Sequence, residues 1–177
     1  MRLVLSFAAV AFSTMALAQT PAVSPPPPSK VAPLTGSGGG TIGRVTLTDA
    51  PQGVLLRVEA SGLTPGWHAV HFHEKADCSD AAFKSAGGHV HMASPSSHGL
   101  LNPAANDLGD LPNVYAGADG SAHAEIFSSL VALRPGTPRA NLLDADGSAV
   151  VLHAAPDDYV SQPIGGAGAR VACASIK

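Results

Sequence analysis

The sequence predicts an all-β fold, a Greek-key β-sandwich or flattened barrel that carries two large functional loops. Three observations predict it. The 177 residues include 19 Gly and 15 Pro, with 5% aromatic and 13% charged residues, a mix that suits short strands and ordered loops better than a helical bundle. Several short segments alternate apolar with small or polar residues at a period of two, which is the side-chain period of a strand. Residues 78–112 show little periodicity and many Gly, Pro, Ser and Asn, and a loop that long inside a compact domain usually has a function. The length is that of one domain with appendages.

Taken in order, residues 1–18 read as a secretory signal peptide. Arg2 precedes an apolar run from Leu3, and Ala16-Leu17-Ala18 has the small-residue pattern of a cleavage site. The run is short for a membrane span, so export without further membrane association is expected. Residues 19–38 read as a Pro-rich disordered linker, because Pro21 and Pro25 to Pro28 favour polyproline geometry and few apolar residues are present. The folded domain is expected over 39–177. It opens with strands at Thr41–Thr48 and Val54–Ala60 around a turn at 49–53, with Val54, Leu56, Val58 and Ala60 on the buried face.

Turn chemistry at 61–66 leads into the stretch from Gly66 to Cys78. There Val70 and Phe72 fall on one face of an extended strand, and His71 and His73 fall on the other. Two imidazoles side by side are half of a site for a borderline or soft metal; the plainer alternative is two solvated histidines. Gly87-Gly88-His89, His153 at the end of an apolar strand, and the second cysteine, Cys173, favour metal. Strand patterns resume at Ser121–Phe127, at Ser148–His153 after a turn at 144–147, and at Arg170–Ile176.

The net charge of −3 and the lack of any basic run give no support to a nucleic-acid partner, and none is expected. Cys78 and Cys173, an even count in a chain read as exported, point to a disulfide; two buried thiols or copper ligation are the alternatives.

The segments His68-Ala-Val-His-Phe-His-Glu-Lys-Ala-Asp-Cys78, Ser85-Ala-Gly-Gly-His89, His98-Gly99, Gly109-Asp-Leu-Pro-Asn113, His153-Ala-Ala-Pro-Asp157-Asp158 and Gly168-Ala-Arg-Val-Ala-Cys173 resemble, in order and over almost all of 39–177, the bacterial copper/zinc superoxide dismutases. The resemblance implies an eight-stranded flattened barrel and an enzyme that dismutates superoxide to O2 and hydrogen peroxide with copper and zinc. It places His71, His73, His89 and His153 at the copper-ligand positions, with His89 bridging to zinc. His98 and Asp110 fall on zinc-ligand positions, and Asp157 on a carboxylate that links ligands of both metals. Arg170 falls on the guanidinium that attracts the substrate anion, with Lys75 and Lys84 read as ordinary surface residues. Cys78 and Cys173 match the internal disulfide. A periplasmic location is implied; a homodimer is compatible with it, since members of the family differ in the surface they use.

One position departs from that pattern. Where a third zinc histidine is expected, three residues before Asp110, this chain has Asp107. Aspartate is an acceptable zinc ligand. Three readings stay open: Asp107 ligates, His91 substitutes, or zinc is poorly held, and the shorter reach of aspartate leads to an expectation of weaker zinc binding. His68 and His123 have no metal role in the resemblance and read as surface or loop-stabilising residues. A non-catalytic copper-binding or copper-delivery module on the same fold is the alternative function.

Overall fold

Alternation drives three consecutive antiparallel strands in the computed structural model, which describes residues 26–177: β1 (Ser29–Gly36), β2 (Thr41–Ala50) and β3 (Gly53–Ala60). Val54, Leu56, Val58 and Ala60 are all buried, as their spacing predicts. The expected signal peptide, residues 1–18, and residues 19–25 lie outside the described residues.

The linker expected over 19–38 does not run that far. Ser29–Gly36 is a strand paired with β2 from Ser29↔Thr48 to Thr35↔Thr41, and Ala32 and Leu34 enter the core. The ordered domain therefore begins at Ser29 rather than Gly39. Pro33 is tolerated within β1 because the ladder to the neighbouring last strand engages only Thr35 and Gly36, so no N–H is needed from Pro33 on that side.

The remaining strands are β4 (Gly66–His68), β5 (Val70–His73), β6 (Val114–Ala116), β7 (Ala122–Ser128), β8 (Val131–Ala132), β9 (Ala140–Asn141), β10 (Ser148–His153) and β11 (Arg170–Ile176). β4 and β5 are two parts of one strand line, interrupted at Ala69, whose N–H bonds Ala155 O at 3.0 Å. One sheet has the order β5-β10-β11-β1-β2-β3-β7, and β6 pairs with β4. The hairpin closed by Gly117 N→Ser121 O joins β6 to β7. With β4 and β5 taken as one, this is the eight-stranded, curled antiparallel barrel, and the β3–β4 and β7–β10 connections are its Greek-key crossovers. The short parallel pair β8–β9 lies in the second crossover.

The interior holds Leu34, Val45, Leu47, Leu56, Phe72, Val150, Leu152 and Ile176. β10 is buried along its whole length because both of its faces are covered. Val150 and Leu152 face the interior, while Ala149 and Val151 pack with Phe83, Ala86 and Cys173 beneath the first long loop. That loop, residues 74–113, is tied down by the Cys78–Cys173 disulfide (Cα–Cα 5.8 Å). The second loop spans residues 154–169.

Candidate metal centre

β5 carries the centre. Its residues pair with β10 from Val70↔Leu152 to His73↔Ala149. The other edge of β5 is completed by the long loop: Phe72 N→Gly109 O and Val90 N→Phe72 O, both 2.9 Å, form bridges that bring His89 opposite His73 and Asp110 opposite His71. Gly109 is required here, because a Cβ would overlap the Phe72 carbonyl oxygen. His153 ends β10, across from Arg170 on β11.

His71, His73, His89 and His153 converge so that one ligand atom from each lies within 4.8 Å of the others. Each ring is oriented through one of its two nitrogens. His71 Nε2–H donates to Asp157 Oδ2 (2.9 Å), His73 Nδ1–H to Gly87 O (3.0 Å), and His153 Nδ1–H to Gly168 O (3.2 Å). His89 Nδ1–H donates to Asp107 Oδ2 (2.9 Å) and Asp110 Oδ1 (3.1 Å). That leaves His71 Nδ1 and the Nε2 atoms of His73, His89 and His153, the buried side-chain nitrogens and oxygens without a partner among the described residues. An orphaned buried polar atom costs about 1–3 kcal/mol, so four facing one another require a common partner. Burial pushes His73 down to about 2 and His153 down to about 3, so both rings are neutral at neutral pH. Neutral imidazoles with free lone pairs fit copper.

A second cluster adjoins it through His89. His98 Nδ1–H donates to Asp110 Oδ1 (2.7 Å) and Nε2–H to Asp157 Oδ1 (3.0 Å); its Nδ1 lies 3.9 Å from Asp107 Oδ2. Burial opposes the charged form of His98, but these two carboxylates outweigh it and raise its pKa to about 10. Burial would also raise Asp110 and Asp157; bonds from His89, His98 and Gly99 N–H hold Asp110 well below the usual carboxylate range, and His71, His98 and Tyr159 N–H do so for Asp157. Asp107, Asp110 and Asp157 are buried, and their ion-pair partners among the described residues are all histidines. A dication compensates such a set. The donor-to-donor distances of 2.7–3.9 Å bracket the edge of about 3.3–3.6 Å expected for a tetrahedral zinc site with 2.0–2.2 Å bonds.

Asp107 therefore reaches the cluster, its Oδ2 lying 2.9 Å from His89 Nδ1. His91 does not: its ring is turned away, exposed, with Nδ1–H on His89 O at 2.8 Å. His123 is exposed on β7. His68, expected at the surface or in a loop, is buried, and its ring nitrogens contact Thr64 O (2.7 Å) and His153 O (2.6 Å). Arg170 donates to Phe83 O (2.6 Å) and Gly87 O (2.7 Å), the latter shared with His73.

Two residues to which the sequence assigned no role complete the frame, Gln162 outside every motif and Asn113 at the end of the Gly109–Asn113 motif. Gln162 bonds both backbone groups of His98, accepting from its N–H (2.9 Å) and donating to its oxygen (2.8 Å). Asn113 does the same for Asp157, at 2.9 Å each way. Gly165 leaves room for Asp157, whose carboxylate a Cβ would overlap. Loop amides of this kind have no periodicity, so composition does not reveal them.

The profile of the family described as Copper/zinc superoxide dismutase matches residues 41–176. The chain is 65% identical to a Superoxide dismutase [Cu-Zn] of Caulobacter vibrioides over 139 residues, covering 78% of this chain and 80% of that protein. It is 39% identical to Superoxide dismutase [Cu-Zn] 2 of Aquifex aeolicus over 147 residues, 82% of this chain and 85% of the relative. The crystal structure of a SOD-like protein from Bacillus subtilis superposes with a TM-score of 0.77 at 32% identity, covering 83% of this chain and 97% of that one. The Cu/Zn superoxide dismutase from Brucella abortus gives 0.66 at 28% identity, covering 85% and 100%. With its barrel, its disulfide and its histidine cluster all accounted for, the chain belongs to the copper/zinc superoxide dismutase family.

Proposed function

We infer that this protein is a superoxide dismutase, in which two superoxide anions and two protons give O2 and hydrogen peroxide. The observation that carries this reading is the set of four partnerless imidazole nitrogens beside a carboxylate-rich second site, joined by His89. Copper is assigned to His71 Nδ1 and to Nε2 of His73, His89 and His153. Zinc is assigned to Nδ1 of His89 and His98, with Asp107 and Asp110. Bound there, copper supplies a one-electron couple that imidazole tolerates in both states, and zinc supplies a Lewis acid that holds and polarises the His89 ring.

The chain's own residues do the rest. Arg170 offers the guanidinium that draws in a small anion, which a net-negative protein must achieve locally. His89 Nε2 is the nitrogen free to take up a proton and hand it to the reduced substrate, because its Nδ1 is the one turned to the second site, toward Asp107 and Asp110. Asp157 keeps His71 and His98 in register from behind, one oxygen to each.

The disulfide supports an oxidising compartment. With residues 1–18 as a signal peptide, export to the periplasm is the proposed destination. A dismutase assay on the copper- and zinc-loaded protein tests the function, and activity is expected. A full copper complement without activity would instead indicate a copper-binding module, a reading in which Arg170 only ties the first loop and its charge beside the cluster has no use.

A further inference from the structure

The two donor sets share His89 but differ in chemistry. The first is four imidazoles; the second, as assigned above, is two imidazoles with Asp110 and Asp107, whose carboxylate lies 2.9 Å from His89 Nδ1 and 3.9 Å from His98 Nδ1. Asp107 is built into its place. Its side chain is 3% exposed, and its Oδ1 accepts the Gly109 N–H at 2.8 Å. Its own N–H bonds Ser97 O at 3.1 Å. Those bonds leave Oδ2 aimed at His89 Nδ1, 2.9 Å away.

We propose that Asp107 determines the specificity of the second site, making it refuse monovalent copper while accepting a divalent ion such as zinc. The inference rests on the metal assignment above. Charge gives the first reason. Two buried carboxylates are neutralised by a dication but leave a net negative charge around a monovalent ion, and Coulomb attraction to the dication is twofold larger. Ligand softness gives the second: reduced copper prefers nitrogen and sulfur, whereas carboxylate oxygen suits harder divalent ions. A histidine at 107 would make the second set three nitrogens and one oxygen, close in character to the copper set beside it. His89 belongs to both donor sets, so the two sites adjoin and compete for the same incoming metal. Oxidised copper outbinds zinc at nearly any nitrogen and oxygen site, so the discrimination acts on the reduced ion.

The test uses metal-free protein with its disulfide intact, titrated anaerobically with Cu(I) as its acetonitrile complex. Native mass spectrometry reads copper per chain, and competition with a chromophoric chelator reads zinc affinity. We expect one Cu(I) per chain for the wild type and two for Asp107→His. Asp107→Asn, which keeps the shape and removes the charge, should weaken zinc binding by about tenfold or more. Two Cu(I) on the wild type, one on Asp107→His, or unchanged zinc affinity in Asp107→Asn overturns the proposal. None of these readouts is enzymatic, so a fully loaded protein without dismutase activity would count against the proposed function alone.

Discussion

Asp157 accepts the Nε2–H of His71 across 2.9 Å, and this bond selects which nitrogen of His71 is left to face the other imidazoles. The other oxygen of the same carboxylate accepts from His98 Nε2 at 3.0 Å. One side chain thus sets the tautomer of a proposed copper ligand and the orientation of a proposed zinc ligand. Asp157→Asn replaces an acceptor oxygen by a donor and should weaken both metals by roughly 10–100-fold. Chelator competition measures each affinity, and a loss confined to one metal would mean that the two arms act independently.

Arg170 has two tasks, tying the first loop through Phe83 O and Gly87 O and presenting charge beside the histidine cluster. Arg170→Ala should retain copper yet lower the dismutation rate by about tenfold or more, and flatten its dependence on ionic strength, because guidance of an anion is a salt-screened rate effect. Arg170→Lys should recover part of the salt dependence. A wild-type rate and salt slope in Arg170→Ala would move anion guidance to another cation, Lys84 first.

The first long loop sends only a few side chains into the core, Val90 and Leu111 into the main one and Phe83 and Ala86 into a small cluster, and is otherwise held by the disulfide at one end and by the metal ligands along its length. Closing the 95-residue separation between Cys78 and Cys173 is worth about 4–5 kcal/mol in the chain-entropy account. Reductant combined with a chelator should therefore lower the melting temperature by much more than either treatment alone. Equal melting points for the doubly treated and untreated protein would contradict this.

Without metals, stability should peak near pH 6–7. Burial depresses His73 to about 2 and His153 to about 3 from an ordinary 6.5, so the unfolded chain binds protons that these rings refuse. Their contribution is present above about 6.5 and is lost as pH falls toward 3. His98 behaves oppositely. Raised to about 10 by Asp110 and Asp157 against the opposing effect of burial, it contributes fully below 6.5 and ceases to as pH rises through 10. Melting curves of the metal-free protein from pH 4 to pH 10 would show the maximum. A melting temperature still climbing at pH 9 would show that the His98 bonds do not stabilise the metal-free fold.

Strand character is a local property, and the sequence alone determines it well in β3 and β5. Alternation there places Val54, Leu56 and Val58 on one face, and sets Val70 and Phe72 against His71 and His73, because the side-chain period of a strand needs no partner. The same alternation, with the spaced motifs at His89, His98, Asp110, His153 and Cys173, is enough to indicate the family. β1 was hidden by the proline run beside it and by Pro33, which a strand accepts only when its neighbour asks for no N–H, and β6 is three residues long. Which ring nitrogen each histidine leaves free, whether Asp107 reaches the cluster where His91 turns away, and how Gln162 and Asn113 grip the ligands are decided by the tertiary structure alone. They depend on residues 74–113 folding back onto the open edge of β5, and on Gly109 admitting that close approach. Such contacts join residues distant in sequence through backbone bonds, and a hydrogen bond of that kind leaves no period in the chain for a reader to find.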